Sequence, residues 1–574
     1  MVSDPKAQPQ RPKIAVFSGP TATIQNSEPL VTSNKARRKY GLSLRPNPDG
    51  SPARFDVLRP QYLAAPITIY IKQFSAHPLE RDAAELYAPP DGYIGSDGAF
   101  RKEPQGQGDI PVYEVTLLPE DGPYPLPYMA RQANGQPWES EAAYPLAPDH
   151  LCRQPFYPDA SRIFEEIDRL GIGHQGTGNL LSSKAEFDFY RPAPSGGYRH
   201  GLLASERTDI GEGDISPETL GKKFFAYRPS HIRKSPSMGQ LAQATNVVQK
   251  AMSSGRYTGA IWLEGSPNVE ESIYWLNLLI DATAPIVGNA SQRPHGSLGN
   301  DGDLNIVHSV EYLISHVWAG GDGNDDIGAV VIQEKQIFTA RDVQKADARP
   351  GGYVATGGHG GIIGSLGNSG PAVLSFRSIK RHTHKSEVNI NRLPRAVEGV
   401  GIVNGRPSFV PVRIKDEHGE LLPTAIPKVT IAKTARYLLE SPEADPNTEV
   451  EIFARIEKNL KDFPLAGFVV EGVSPYGNPM ESLAAALNRA VLTGMPVARV
   501  RRGNAEGFTK PPNATDLTIA GSNLTATKAR LLLMACLMKF GSLPPVADLD
   551  HPTEHEIKTI KAKLIEYQAI FDTH

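Results

Sequence analysis

Polar side chains follow two apolar runs in this sequence, and their types are those that attack or hold a carbonyl group. The first run continues into "AVFSGPTATIQN" and the second into "AIWLEGSPN". A hydroxyl becomes an acyl-transfer nucleophile when a neighbouring base or cation activates it. Serine, threonine and asparagine are also common in turns and at helix N-termini, so the pattern alone leaves both interpretations open. The polar side chains in these two segments are Ser18, Thr21, Thr23, Gln25 and Asn26 in the first and Glu264, Ser266 and Asn268 in the second.

A charged segment, "TARDVQKADARPGG", supplies a lysine that could activate such a hydroxyl. This residue is Lys345, which lies downstream of a further apolar run. An amine acts as a base near pH 7 only when burial or neighbouring cations lower its pKa. A solvated loop would have the same composition, so a catalytic role for Lys345 is one of two interpretations.

The elements that must position these side chains alternate between strands and helices from about residue 226 onward. Such alternation predicts a parallel sheet with helices on both faces. In an open sheet of this kind ligands bind at the carboxyl ends of the strands, which is where the two polar segments fall. The predicted elements are helix 238–255, strand 257–265, helix 268–280, strand 284–290, helix 301–315 and strand 327–335.

The 574 residues are enough for several domains. The proline and glycine content and the periodicity of the apolar residues change twice along the sequence. Residues 41–225 are broken repeatedly by proline and glycine, which predicts an inserted, irregular α+β region. A second alternation of strands and helices begins near residue 425, and "GIVNGRPSF" (401–409) before it is interpreted as a linker. The fold class is therefore predicted as α/β, with two parallel-sheet domains and an insertion. The predicted boundaries are 1–40 with 226–410, then 41–225, then 425–574.

Composition argues against several classes of protein. The net charge of -3 gives no sign of nucleic-acid binding, and no apolar stretch approaches the about 20 residues that span a membrane. The first residues carry no hydrophobic signal core, so we expect a cytoplasmic protein. Two cysteines make neither a disulfide framework nor a metal cluster, and the glycine-rich segment 351–370 opens no helix for a dinucleotide. We therefore expect no metal and no cofactor.

Several segments, in the same order, resemble the bacterial-type L-asparaginases and glutaminases. The first signature of that family is a strand followed by T-G-G-T-I, and "TATI" places Thr23 on its nucleophile. The second signature, H-G-T-D-T-x-E-E-T, resembles "EGSPNVEES", which places Ser266 on its hydroxyl position. The catalytic lysine of the family lies in a segment like "ARDVQKAD", which places Lys345 there. The resemblance covers roughly 13–40 and 226–574.

Three further site residues are implied by the resemblance. In the family a tyrosine on the loop after the nucleophile assists catalysis, and Tyr40 is the candidate here. A substrate-binding serine corresponds to Ser235 in "RKSPSMGQL". An asparagine of the C-terminal domain completes the site of a neighbouring subunit, and Asn478 in "VVEGVSPYGNPMESL" matches it. The resemblance therefore implies a homodimer or homotetramer with shared sites.

The departures from the family pattern concern the residues that bind the substrate. Ser266 and Pro267 stand where the family has Thr-Asp, and that aspartate binds the α-ammonium group of the substrate. Burying an ammonium without a counter-charge is unfavourable, so asparagine itself should bind poorly. Glu264 stands where the family has histidine and could supply the negative charge from another direction. The predicted substrate-binding residues are Ser235, Glu264, Asn268 and Asn478.

These features predict an amidohydrolase that cleaves a carboxamide or a cyclic amide through an acyl-enzyme on Thr23. Tyr40, Ser266 and Lys345 are the other predicted catalytic residues, and a small-molecule amide is the predicted partner, with no nucleic acid and no membrane. Two alternatives stay open. An ester or lactone hydrolase could use the same nucleophile, because an acyl-enzyme does not require an amide leaving group. A non-catalytic, ligand-binding relative would fit the loss of the aspartate and of both signature glycines.

Overall fold

The structure is a computed structural model, and it describes only part of the chain. The described residues are 11–19, 67–71, 90–95, 100–106, 108–117, 164, 167, 180–192, 198–200, 238–293, 299–355, 362–365, 373–374, 383–434, 447, 449–473, 477–502 and 517–574.

Strands and helices are numbered in chain order within these residues. The strands are β1 (Lys13–Ser18), β2 (Ile67–Ile71), β3 (Gly92–Ile94), β4 (Phe100–Arg101), β5 (Ile110–Leu117), β6 (Glu186–Pro192), β7 (Tyr198–His200), β8 (Gly259–Leu263), β9 (Ile286–Asn289), β10 (Val330–Gln333), β11 (Gln336–Thr339), β12 (Val343–Lys345), β13 (Tyr353–Ala355), β14 (Ile362–Ser365), β15 (Val373–Leu374), β16 (Ala396–Val403), β17 (Arg406–Arg413), β18 (Lys428–Lys433), β19 (Ala466–Gly472), β20 (Val497–Arg501) and β21 (Ile519–Ala520). The helices are α1 (Met238–Met252), α2 (Val269–Leu279), α3 (Gly302–Ser315), α4 (Val450–Asp462), α5 (Glu481–Leu492), α6 (Ala526–Phe540) and α7 (Glu554–Thr573).

The largest sheet has nine strands among the described residues, in the order β15-β14-β11-β10-β9-β8-β1-β6-β7. Five consecutive strands of this sheet, β10-β9-β8-β1-β6, run parallel to one another. Every residue of β8 is buried, as expected for a central strand of a parallel sheet that is covered on both faces. β1 pairs with β6 on one side and with β8 on the other, so the sheet grows in both directions from β1. A crevice opens at such a reversal, beyond the carboxyl ends of β1 and β8.

A second sheet, with four parallel strands among the described residues, has the order β18-β19-β20-β21. Helix α6 packs on it and also against α2, which packs on the large sheet. Trp275 of α2 and Leu532 of α6 belong to one continuous apolar core. The α/β class predicted from the sequence is confirmed, and the two sheets share part of one apolar core.

Two segments have structure that the sequence analysis did not predict. Strands β6 and β7 lie within residues 41–225, the predicted insertion, yet they belong to the large sheet. The interpretation of 401–409 as a linker is wrong, because these residues lie in the β16–β17 hairpin. Asn404 and Gly405 form its turn with positive φ angles of 51° and 78°, the geometry that the Asn-Gly pair favours. The position of β6 matters for the site, since its pairing with β1 creates the reversal in the sheet.

The described remainder of 41–225 includes an antiparallel sheet in the order β2-β5-β3-β4. This agrees with the α+β character predicted for that region but leaves its boundaries a prediction. Within the described part of the chain, no helix combines the length and the apolar character needed to cross a membrane.

Candidate active site

The ends of β1 and β8 meet at the reversal in the sheet. The N–H of Gly19, the residue after β1, donates to the Leu263 carbonyl oxygen at 2.7 Å. A Cβ atom at Gly19 would lie 2.2 Å from Oε2 of Glu264, so only glycine allows this approach. The segment that leads to Thr23 therefore starts beside the segment that carries Ser266. Thr23, Tyr40 and Ser235 lie outside the described residues.

Glu264 is buried in the wall of the crevice, with 2% of its surface exposed. Its Oε2 accepts hydrogen bonds from Trp262 Nε1 at 3.2 Å and from Ser272 Oγ at 3.3 Å. Its Oε1 accepts from the Gly265 N–H at 3.3 Å. Ser272 lies in the first turn of α2, where the helix dipole also favours a negative charge. The carboxylate is thus held by donors at the base of the crevice, beside Gly19.

Ser266 contacts a residue that the sequence analysis missed. The phenolic O–H of Tyr353 donates to Ser266 Oγ at 2.9 Å. Tyr353 is 8% exposed, and burial raises the pKa of its phenol, so the group stays protonated and remains a donor. No periodic pattern marks this tyrosine in the sequence, because it lies in a three-residue strand within a glycine-rich segment.

Lys345 lies directly opposite Tyr353 in the antiparallel pair of β12 and β13. Its ammonium donates to the carbonyl oxygens of Arg349, at 2.6 Å, and Gly351. The Nζ atom also lies 5.0 Å from the centroid of the Tyr353 ring. Among the described residues, no hydrogen bond joins Lys345 Nζ to Ser266 Oγ. The predicted hydroxyl–amine pair is therefore connected through the tyrosine that lies between them.

Burial lowers the pKa of Lys345, while the carboxylates of Asp301 and Asp347 oppose the shift. The backbone N–H of Lys345 donates to Glu270 Oε2 at 2.6 Å, which anchors β12 to α2. Burial raises the pKa of Glu270, and this N–H opposes the rise. The direction of the Lys345 shift is the one that a general base requires.

The remaining predicted residues lie at the surface. Asn268 precedes α2 and is exposed, and its side chain makes no capping hydrogen bond with the helix. Asn478 is exposed just beyond the carboxyl end of β19, where its Oδ1 accepts from Arg499 Nη1 at 2.8 Å. An exposed asparagine at this position is accessible to another subunit, although its role stays a prediction.

An aspartate that the sequence analysis did not select organises the neighbouring loop. Oδ1 of Asp301, the residue before α3, accepts from Ser291 Oγ at 3.0 Å and from the Arg293 N–H at 3.2 Å. Its Oδ2 accepts from Gln333 Nε2 at 2.7 Å, at the carboxyl end of β10. Asp301 therefore ties together the loops after β9 and β10. Within the described residues, no group of three or more histidine, cysteine or carboxylate side chains could hold a metal ion.

Comparison with known proteins identifies relatives of this part of the chain. Residues 217–362 match the family model described as "Asparaginase, N-terminal". A glutaminase-asparaginase of Acinetobacter glutaminasificans is 33% identical over 156 residues, which are 27% of this chain and 44% of that protein. An L-asparaginase of Bacillus licheniformis is 30% identical over 160 residues, 26% of this chain and 48% of that protein. The chain thus spans about half the length of these curated relatives.

A solved structure, "Probable Cytoplasmic L-asparaginase from Campylobacter jejuni", is 18% identical and has a TM-score of 0.42. The superposition covers 61% of this chain and 87% of that chain. The residues matched by the family model include Glu264, Ser266, Lys345 and Tyr353.

Proposed function

We propose that this chain, whose residues 217–362 match the family model described as "Asparaginase, N-terminal", is an amidohydrolase acting on carbon–nitrogen bonds other than peptide bonds. The observation that carries the proposal is the meeting of the two strand ends, with Gly19 against Glu264 and Ser266 two residues further on. Thr23 follows Gly19 by four residues, which span at most about 14 Å when fully extended. The proposed nucleophile is therefore tethered to the end of β1, beside the segment that carries Ser266.

In the proposed reaction, Thr23 Oγ adds to the carbonyl carbon of the amide. The carbon–nitrogen bond breaks and the nitrogen takes up a proton, so that ammonia or an amine leaves or, in a cyclic amide, the amine stays on the ring-opened acyl group, and an ester forms on Thr23. Water then attacks this ester, the bond to Thr23 breaks, and the carboxylic acid is released while Thr23 regains its proton. Ser266 orients the reacting groups, and Lys345 supplies the amine of the predicted hydroxyl–amine pair. Tyr40 assists the nucleophile.

The proposed substrate is a carboxamide or cyclic amide other than asparagine. Pro267 brings no charge to the position where an α-ammonium group would need one. Glu264 is the carboxylate nearest to the strand ends, but Trp262, Gly265 and Ser272 already donate to it. We therefore expect amides without a free α-ammonium group to react faster than asparagine. Asn268 and Ser235 are proposed to contact the substrate, and a cytoplasmic location stays a prediction.

The proposal is tested by turnover of a substrate panel by the full chain. Primary carboxamides, lactams, esters, asparagine and glutamine are incubated with the protein, and released ammonia or acid is measured. Thr23→Ala should lower kcat by at least about 10³-fold, because the nucleophile is lost. Thr21→Ala, two residues away in the same segment, is the matched control and should stay within about twofold of wild type.

Three other outcomes would change the assigned nucleophile or the assigned function. Turnover that survives Thr23→Ala contradicts the nucleophile assignment. Turnover of esters alone identifies an ester or lactone hydrolase. No turnover of any compound, together with a ligand that raises the melting temperature, identifies a binding protein instead.

We also propose a homodimer or homotetramer in which Asn478 completes the site of a neighbouring subunit. Its exposure beyond β19 supports this arrangement. Thr23→Ala and Asn478→Ala chains, each impaired alone, should recover part of the activity when they are co-expressed. The hybrid then contains one site with both residues intact. Absence of recovery in a hybrid verified by mass spectrometry would argue against a shared site.

A further inference from the structure

Ser266 takes the place of a threonine in the family signature, and this exchange removes a restraint on the hydroxyl. The γ-methyl of threonine limits χ1 to few rotamers, whereas serine rotates more freely. A hydroxyl that must orient a reacting group loses efficiency when it samples several rotamers. The serine at this position therefore needs another contact that holds its oxygen in one direction.

Tyr353 provides such a contact. Its phenolic O–H donates to Ser266 Oγ at 2.9 Å, and among the described residues this is the hydrogen bond that the Ser266 hydroxyl makes. A serine hydroxyl has one hydrogen and two acceptor lone pairs. With one lone pair occupied by the phenol, the hydrogen of Ser266 remains available to another acceptor.

The phenol is itself held in place by its surroundings. Tyr353 is 8% exposed and lies opposite Lys345 in the β12–β13 pair. The ammonium of Lys345 lies 5.0 Å from the ring centroid and is fixed by the carbonyl oxygens of Arg349 and Gly351. Cation–π attraction of this kind adds to the packing of the ring. Lys345 thus lies against the ring of the tyrosine whose hydroxyl contacts Ser266.

We propose that Tyr353 is a positioning residue that fixes the Ser266 hydroxyl for acyl transfer, in place of the γ-methyl that a threonine would carry. The proposal rests on the amidohydrolase activity proposed above and deepens it. It makes a specific prediction: the need for Tyr353 disappears when the γ-methyl is restored.

The kinetic test is a double-mutant cycle on the full chain. Tyr353→Phe should lower kcat about tenfold with KM within about twofold, as expected for one hydrogen bond that matters in the reaction. In the Ser266→Thr background the same Tyr353→Phe change should lower kcat by less than about threefold. Equal losses in both backgrounds, or an unchanged kcat in the single variant, would overturn the proposal.

The matched control is Tyr274→Phe. Tyr274 is also a buried tyrosine beside a lysine ammonium, with Lys528 Nζ at 5.1 Å from its ring centroid, but its hydroxyl has no hydrogen-bond partner among the described residues. Its removal should leave kcat within about twofold of wild type. A tenfold loss in this control would show that any tyrosine hydroxyl matters for packing, and would count against a specific role for Tyr353.

A second measurement does not depend on turnover. Tyrosines are labelled with ¹³C at Cζ, and the Tyr353 resonance is assigned by its loss in Tyr353→Phe. Ser266→Ala should shift this resonance, whereas Ser254→Ala, remote from the site, should not. An unshifted resonance refutes the contact. A wild-type protein without turnover refutes the proposed function, and the resonance comparison then still decides whether Tyr353 holds Ser266.

Discussion

Two lysine–tyrosine pairs of similar geometry lie in different regions of the molecule. In the two-stranded β12–β13 sheet, Lys345 Nζ lies 5.0 Å from the Tyr353 ring centroid, and at the contact between α6 and α2 Lys528 Nζ lies 5.1 Å from that of Tyr274. Each ammonium donates to two backbone carbonyl oxygens; those of Lys528 belong to Glu270 and Ala340. The local chemistry of the two pairs is therefore nearly the same.

The pairs differ in burial and in the partner of the tyrosine hydroxyl. Lys528 is 1% exposed and links α6 to the first turn of α2 and to the segment after β11. Lys345 is half-buried beside the crevice. The Tyr353 hydroxyl donates to Ser266, whereas the Tyr274 hydroxyl has no partner among the described residues. The same lysine–tyrosine contact therefore joins α6 to α2 in one region and adjoins the Ser266 hydroxyl in the other.

The largest effect on stability is expected from Lys528→Met. Methionine leaves the carbonyl oxygens of Glu270 and Ala340 buried without their donor, and each unsatisfied acceptor costs about 1–3 kcal/mol. We expect a loss of about 3 kcal/mol in the free energy of unfolding, measured by urea titration. Lys345→Met should lose less than about 1 kcal/mol, because its acceptors lie nearer to water. Equal losses in the two variants would remove the distinction between the regions.

Of the two lysine variants, Lys345→Met is expected to have the larger effect on activity. Loss of an amine that takes part in proton transfer lowers kcat/KM by about 100-fold or more, which corresponds to about 2.7 kcal/mol. The melting temperature should change little. Lys433→Met, at a side chain that is 70% exposed, is the control and should keep wild-type activity. A Lys345→Met protein with near wild-type kcat/KM would contradict the role assigned to this region.

The titration of Lys528 should make the free energy of unfolding depend on pH. Burial lowers the pKa of Lys528 to about 8 from its ordinary value of 10.5. Between these values the folded protein binds fewer protons than the unfolded chain, so the free energy of unfolding rises with pH, by at most about 1.4 kcal/mol per unit. The difference in unfolding free energy between wild type and Lys528→Met should therefore widen from pH 8 to pH 10. A difference that stays constant or narrows would mean that the folded protein does not lower this pKa.

The smallest effect is expected from Tyr274→Phe. Removing a buried hydroxyl that lacks a partner should change the free energy of unfolding by less than about 0.5 kcal/mol, or raise it slightly. Tyr353→Phe removes a hydroxyl that is hydrogen-bonded and should lower the free energy of unfolding by about 1 kcal/mol. Thermal denaturation of both variants measures this difference, and the opposite order would contradict the assignment of the two hydroxyls.

The elements around the site could be predicted from the sequence where a hydrophobic pattern marks them. The strand predicted over 257–265 is observed as β8, and the helix predicted over 268–280 is observed as α2. Continuous apolar runs and 3.6-residue periodicity are local properties, so they are readable without the fold. The β16–β17 hairpin was missed although Asn404 and Gly405 carry a known turn signal.

The contacts across the site could not be predicted in the same way. The pairing of Tyr353 with Lys345 depends on the register of two three-residue strands, which have no pattern of their own. The position of β6 beside β1 depends on a pairing across more than 160 residues of chain. Such contacts depend on which distant segments of the chain meet in the folded protein.

By itself, the sequence determined the α/β class and the family resemblance of Ser266 and Lys345, because both depend on local pattern and residue order. Only the tertiary structure decided that Gly19 meets Glu264, and that Tyr353 stands between the predicted serine and lysine. The physical reason is that a hydroxyl orientation depends on atoms within about 3 Å, and these come from segments that are far apart in the chain.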